Sequence, residues 1–217
     1  METLRIAAAG GEVGASVHGR GPTVLALGHG AGGDRTTALL VRLASAVAES
    51  GRRVLLFNFP YSERRRRVPD PAAVMEATVS DVAAHVRGTL GASALVLGGK
   101  SMGGRIASQA VAGGLPAEGL VFLGYPLHAP GRFDRLRDRH LPDVAAPMLF
   151  VQGTRDAFAR ADLLAAVLAG LGDRATLHEV EGGDHSFAVP RASGRAPAGV
   201  EAEVVAAITG WLDARGL

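Results

Sequence analysis

Short apolar runs separated by longer stretches of helical period fill most of the chain. Val24–Leu27, Val54–Phe57, Leu95–Gly98, the Leu-Val-Phe-Leu run of Gly119–Gly124 and Met148–Val151 are apolar with little alternation. That is the pattern of strands buried on both faces. Ala175–Val180 reads as a further strand, and residues 3–18, interrupted by Gly10-Gly11, as a hairpin of two modest strands. Between the strands, Thr36–Ser50 places Leu39, Leu40, Leu43 and Val47 on one helical face and stops at Gly51. Pro71–Leu90 opens with proline and is followed by Gly91, the residues that favour a helix start and stop. Met102 to about Ala112, Ala161–Leu171 and Glu201–Ala214 complete the predicted helices. Arg132–Pro147 reads as a charged connection and Ala192–Gly199 as a polar loop.

Strands alternating with helices of this length predict a mostly parallel sheet with helices on both faces. The 217 residues show no internal repeat and no composition break, so one domain over 1–217 is expected. No apolar run is long enough to span a bilayer. The start, Met1-Glu2-Thr3-Leu4-Arg5, lacks the pattern of a secretory signal, which makes the cytoplasm the default expectation. The absence of cysteine excludes disulfides, thiolate catalysis and cysteine metal sites. Net charge is only +2, and Lys100 is the single lysine among 23 basic residues. Such near balance gives no electrostatic footprint for nucleic acid.

In parallel sheets of this type, functional groups gather at the carboxyl ends of the strands. Those ends carry His29–Gly33, Asn58–Tyr61, Lys100–Met102, Tyr125–His128, Arg155-Asp156 and Asp184-His185. Gly99-Lys100-Ser101-Met102-Gly103 spells G-x-S-x-G between a predicted strand and a predicted helix. A reversal that tight strains the serine and leaves no room for side chains two positions away. Two rival motifs share these glycines. A P-loop ending at Gly99-Lys100-Ser101 would need glycine at position 94, which is Ala94, and a loop where Leu95-Val96-Leu97 forms a strand. Gly28, Gly30 and Gly33 form a literal G-x-G-x-x-G, but the next strand ends in Phe57-Asn58-Phe59, without the acid that would hold a ribose.

A serine hydroxyl needs a base to become nucleophilic, and the base needs a carboxylate to fix its tautomer. Ser101, Asp156 and His185 occur in the chain order expected for G-x-S-x-G on such a sheet. Asp184 is the alternative acid, but adjacent side chains diverge, and after Gly182-Gly183 it reads as a turn residue. The oxyanion donors are expected to be the backbone N–H groups of Met102 and Ala31, with Gly32 as second choice for the latter.

The joint set Gly28-His-Gly-Ala-Gly-Gly, Phe59-Pro-Tyr61, Gly99-Lys-Ser-Met-Gly-Gly-Arg105, Gly124-Tyr-Pro-Leu-His128, Gly153-Thr-Arg-Asp156 and Gly183-Asp-His-Ser-Phe187 resembles the α/β-hydrolases. It is similar to their small lidless, dienelactone-hydrolase-like branch, which includes the KANL/Tex-type domains. The resemblance implies an α/β-hydrolase fold and a serine hydrolase of esters or thioesters, with no metal or organic cofactor. It also admits a non-catalytic binding module, because some relatives serve as interaction domains. Dienelactone hydrolases proper use cysteine, so their substrate does not carry over to Ser101. About twenty residues (124–147) leave little room for a cap, so an open site for small soluble esters is expected, lined by His29, Tyr61 and His128. Arg64-Arg65-Arg66-Arg67 is expected beside it, either as solvated surface or as an attractor for an anionic substrate.

Overall fold

In the computed structural model, which describes residues 1–217, eight strands form one sheet. They are β1 (Glu2–Ile6), β2 (Val13–His18), β3 (Thr23–Gly28), β4 (Arg53–Phe57), β5 (Ala94–Lys100), β6 (Gly119–Leu123), β7 (Met148–Gly153) and β8 (Ala175–Val180). Their spatial order is β1-β2-β4-β3-β5-β6-β7-β8. The hairpin β1–β2 is antiparallel and β2 also runs against β4, whereas β4 through β8 are parallel throughout.

The continuous apolar character of the inner strands has its reason in two separate cores. On β5, Leu95 and Leu97 join the core beneath α3 (Ala72–Gly88), α4 (Met102–Ala112) and α5 (Ala161–Leu171). Val96, between them, joins the core beneath α1 (Ala38–Ala48) and α6 (Pro197–Asp213). Each fully buried aliphatic side chain contributes roughly 1.5–3 kcal/mol relative to an exposed one. Two filled faces therefore make a platform rigid enough to hold strained loops at its edge.

Two helix starts and one short helix depart most from the sequence expectation. α1 begins two residues late because Asp34 folds Thr36 and Thr37 into a turn, accepting from Thr36 N–H at 2.7 Å. α6 begins at Pro197 rather than Glu201, since proline in the first turn forfeits no helical hydrogen bond. A short helix, α2 (Pro60–Glu63), follows β4 where only a loop was expected. Glu63 anchors it to the hairpin, accepting from Gly14 N–H and Asn58 Nδ2–H at 2.7 Å and from Arg5 at 2.8 Å. Residues 124–147 hold only a 3₁₀ turn at Leu141–Asp143, so no cap domain covers the carboxyl edge.

Candidate active site

The junction of β5 and α4 fixes the serine. Ser101 has φ 51° and ψ −114°, a conformation that costs of order 1–3 kcal/mol for a residue with a Cβ. Its N–H donates to Leu123 O at 3.1 Å, and its carbonyl receives Arg105 N–H at 3.2 Å as α4 begins. A Cβ at Gly99 would stand 2.2 Å from Gly28 O, and one at Gly103 2.3 Å from the same oxygen. Glycine is therefore required where the turn presses against the end of β3.

His185 Nε2 lies 2.8 Å from Ser101 Oγ, and His185 Nδ1 lies 2.7 Å from Asp156 Oδ2. Because an ionised carboxylate can only accept, Nδ1 carries the proton and Nε2 turns its lone pair to the serine O–H. Asp156 is built as a pure acceptor. Its side chain is fully buried, Oδ1 takes Phe158 N–H at 2.8 Å, and Oδ2 also takes Gln152 Nε2–H. Gln152 cannot turn over, because its Oε1 receives Tyr125 N–H at 2.8 Å. The Phe158 ring backs the imidazole, with centroids 4.4 Å apart. Asp184 is occupied elsewhere, its Oδ1 accepting from Ser186 and Ala188 N–H at 2.8 and 3.0 Å, which holds the turn that presents His185.

The Gly28–Gly33 loop supplies the other wall. Ala31 N–H has no protein acceptor, whereas Gly32 N–H donates to Tyr61 Oη at 3.2 Å. Of the two residues considered for the second oxyanion donor, only Ala31 has its N–H free. Met102 stands at the first position of α4, where a helix leaves N–H groups without internal partners. Neither rival glycine motif finds its ligand group. Asn58 spends its amide on Arg35 N–H and Glu63, and Lys100 ends a strand rather than a phosphate loop.

His29, Tyr61 and His128 do not line the cleft as expected; each is 0–1% exposed. His29 donates from Nδ1 to Gly30 O at 2.8 Å and accepts Phe59 N–H at Nε2 at 3.1 Å, and burial lowers its pKa. His128 Nε2 accepts Arg160 N–H at 2.9 Å. All three brace backbone loops, and Tyr61 braces the one that carries Ala31. Arg64–Arg67 also fall outside the cleft wall. Arg64 and Arg66 pair with Asp70, which stands between them and the cavity.

The cleft itself measures about 970 Å³ and contains Ser101, His185, Ala31 and Met102. Its remaining wall includes Met75, Phe158, Phe187 and Val200, together with Lys100, Arg105 and Arg137, none of which the sequence motifs singled out as binding groups. Arg105 and Arg137 form no ion pair. Arg105 meets only Gln109 Oε1 at 3.2 Å, and Arg137 only Pro126 O at 3.4 Å. Burial first, and then the charge of Arg137, lowers the pKa of Arg105. By contrast, the acids on the same wall are matched, Asp70 as described and Glu201 by Arg42 at 2.6 Å.

A family model described as an alpha/beta hydrolase domain matches residues 21–213. The chain belongs to the α/β-hydrolase family. Solved structures share this hydrolase fold over nearly the whole chain. XC6422 from Xanthomonas campestris, described as an α/β serine hydrolase without lid, is 22% identical with a TM-score of 0.77, covering 97% of this chain and 94% of its own. A dienelactone hydrolase from Anabaena variabilis is 18% identical with a TM-score of 0.74, covering 98% and 96%. Est1E from Butyrivibrio proteoclasticus is 12% identical with a TM-score of 0.76, covering 99% of each chain. At these identities the likeness concerns the fold. The hydrolase has no helix long and apolar enough to cross a membrane.

Proposed function

We propose that this hydrolase is a serine esterase acting on small carboxylic esters or thioesters through a Ser101-His185-Asp156 triad. The observation that carries the reading is the continuous relay from Ser101 Oγ through both ring nitrogens of His185 to a buried carboxylate. Ser101 Oγ attacks the acyl carbon while its proton passes to His185 Nε2. Asp156 stabilises the imidazolium so formed, and the N–H groups of Met102 and Ala31 receive the oxyanion. Collapse breaks the bond to the leaving alkoxide or thiolate, which takes the proton from Nε2. A water then attacks the acyl-enzyme and gives its proton to the same nitrogen, which returns it to Ser101 as the acid leaves.

Arg105 supports a finer reading of the substrate. It lies four residues beyond Ser101, about 6 Å along the same helical face, and with Arg137 gives the cleft two cations lacking a carboxylate partner. An ester that itself carries a carboxylate would supply that partner, through the charge-assisted hydrogen bonds arginine makes best. The test compares p-nitrophenyl esters of a neutral acid and of a dicarboxylic acid. Turnover of both is expected, abolished in Ser101→Ala, with a lower KM for the charged ester that Arg137→Gln removes. Turnover surviving in Ser101→Ala refutes the esterase mechanism, and equal KM values refute the anion preference.

A further inference from the structure

Lys100 is the only lysine in the chain and sits in the position before the candidate nucleophile. It closes β5 in register with Leu123, is 7% exposed, and its Nζ is buried without a hydrogen-bond partner. Gly124 locates that ammonium. A Cβ built there would lie 3.2 Å from Lys100 Nζ and 3.3 Å from His185 Nδ1. The missing side chain thus leaves a slot in which the lysine head and the Asp156-facing nitrogen of the imidazole share one small space. Three titratable groups surround it: Asp156 from the loop after β7, and Asp184 and His185 from the loop after β8. Burial draws the lysine pKa down to about 8, against the pull of Asp156 and Asp184. Arg42 and Glu201, on the α1 and α6 walls of the same cleft, satisfy each other.

An unpaired buried ammonium is costly, and an apolar side chain of similar length would fill the same space without that cost. The place of the charge suggests what it does. We propose that Lys100 is a positioning residue for the proton relay: its ammonium competes with the His185 imidazolium for the Asp156 carboxylate. The imidazole then stays neutral, with Nε2 free to accept the serine proton, to a lower pH than the carboxylates alone would permit. The inference rests on the triad reading given above. It adds that the residue before the nucleophile sets the acidic edge of the reaction.

The test joins kinetics with a titration that needs no turnover. In Lys100→Met and Lys100→Gln, the acidic limb of the kcat/KM profile is expected to move up by about one pH unit. Lys100→Arg, which keeps the charge, should leave it in place. Unmoved limbs in folded Met and Gln variants overturn the proposal. NMR of isotopically labelled His185 should show the same upward displacement of its titration in Lys100→Met, whether or not a substrate is turned over. Absence of turnover would therefore count against the esterase reading alone, and an unmoved imidazole titration against Lys100 alone. Should both neutral variants fail to fold, the intact protein still decides. Lysine-labelled protein has a single ammonium signal, expected to titrate near 8, and a midpoint at the ordinary value of about 10.4 would overturn the placement of the charge.

Discussion

Asp156→Asn is the substitution for which the structure gives the sharpest expectation. It preserves shape, removes the charge and puts an NH₂ donor in place of one acceptor oxygen. In the native protein every partner of the carboxylate is a donor: Phe158 N–H at Oδ1, and Gln152 Nε2–H and His185 Nδ1–H at Oδ2. An asparagine must turn its own NH₂ toward one side. Placed at Oδ1 it opposes a backbone N–H that cannot reorient. Placed at Oδ2 it opposes Gln152, whose rotation is blocked by Tyr125 N–H, and forces His185 to carry its proton on Nε2. That tautomer faces Ser101 with a donor and cannot take the serine proton. An unmade buried hydrogen bond costs about 1–3 kcal/mol of stability, and the wrong tautomer lowers kcat by about 10⁴ in a comparable triad. The expected result is a folded protein of reduced Tm, with kcat on a p-nitrophenyl ester down about 10³–10⁴-fold and KM little changed. Stopped-flow acylation and thermal melts measure both quantities. Activity within a few-fold of the parent would refute the claim that Asp156 orients His185.

Three further outcomes follow from particular contacts. Lys100→Met should raise stability by about 2–3 kcal/mol at neutral pH, because the native lysine is charged in the unfolded chain and resists protonation in the fold. The sign fixes the window. The penalty is complete below about 8 and disappears as pH rises from there toward the unfolded value, so melts of the two proteins should converge in alkali. Tyr61→Phe removes the acceptor of Gly32 N–H and should lower kcat severalfold with KM unchanged, since the hydroxyl steadies the loop carrying Ala31 rather than touching substrate; a KM effect alone would return Tyr61 to the substrate-binding role. Gly103→Ala places a methyl 2.3 Å from Gly28 O and should cost at least about 3 kcal/mol, read as loss of soluble protein.

The sheet was legible in the sequence because its inner strands are buried on both faces, a demand that leaves apolar runs such as Leu95-Val96-Leu97. The place of Ser101 was legible because backbone crowding at Gly99 and Gly103 writes glycine into the chain on both sides of it. What the sequence could not convey was depth. His29, Tyr61 and His128 lie in the segments that follow β3, β4 and β6, as the binding groups of such a sheet do, yet each turns inward to satisfy loop backbone. Arg137 reaches the cleft from a charged connection, where no local pattern separates it from the solvated arginines of 64–67, whereas the spacing of Arg105, four residues past Ser101 on α4, was the signal that could have found it. The helix α2 was hidden because four residues are too few to display a period.

In the proposed mechanism one serine, activated by one imidazole, is the nucleophile of this hydrolase. Intact-protein mass spectrometry after exposure to a fluorophosphonate measures that directly. A single phosphonyl adduct mapping to Ser101 is expected, absent in Ser101→Ala and strongly slowed in His185→Ala. An intact protein that takes up no adduct, or takes it up on another residue, would contradict it.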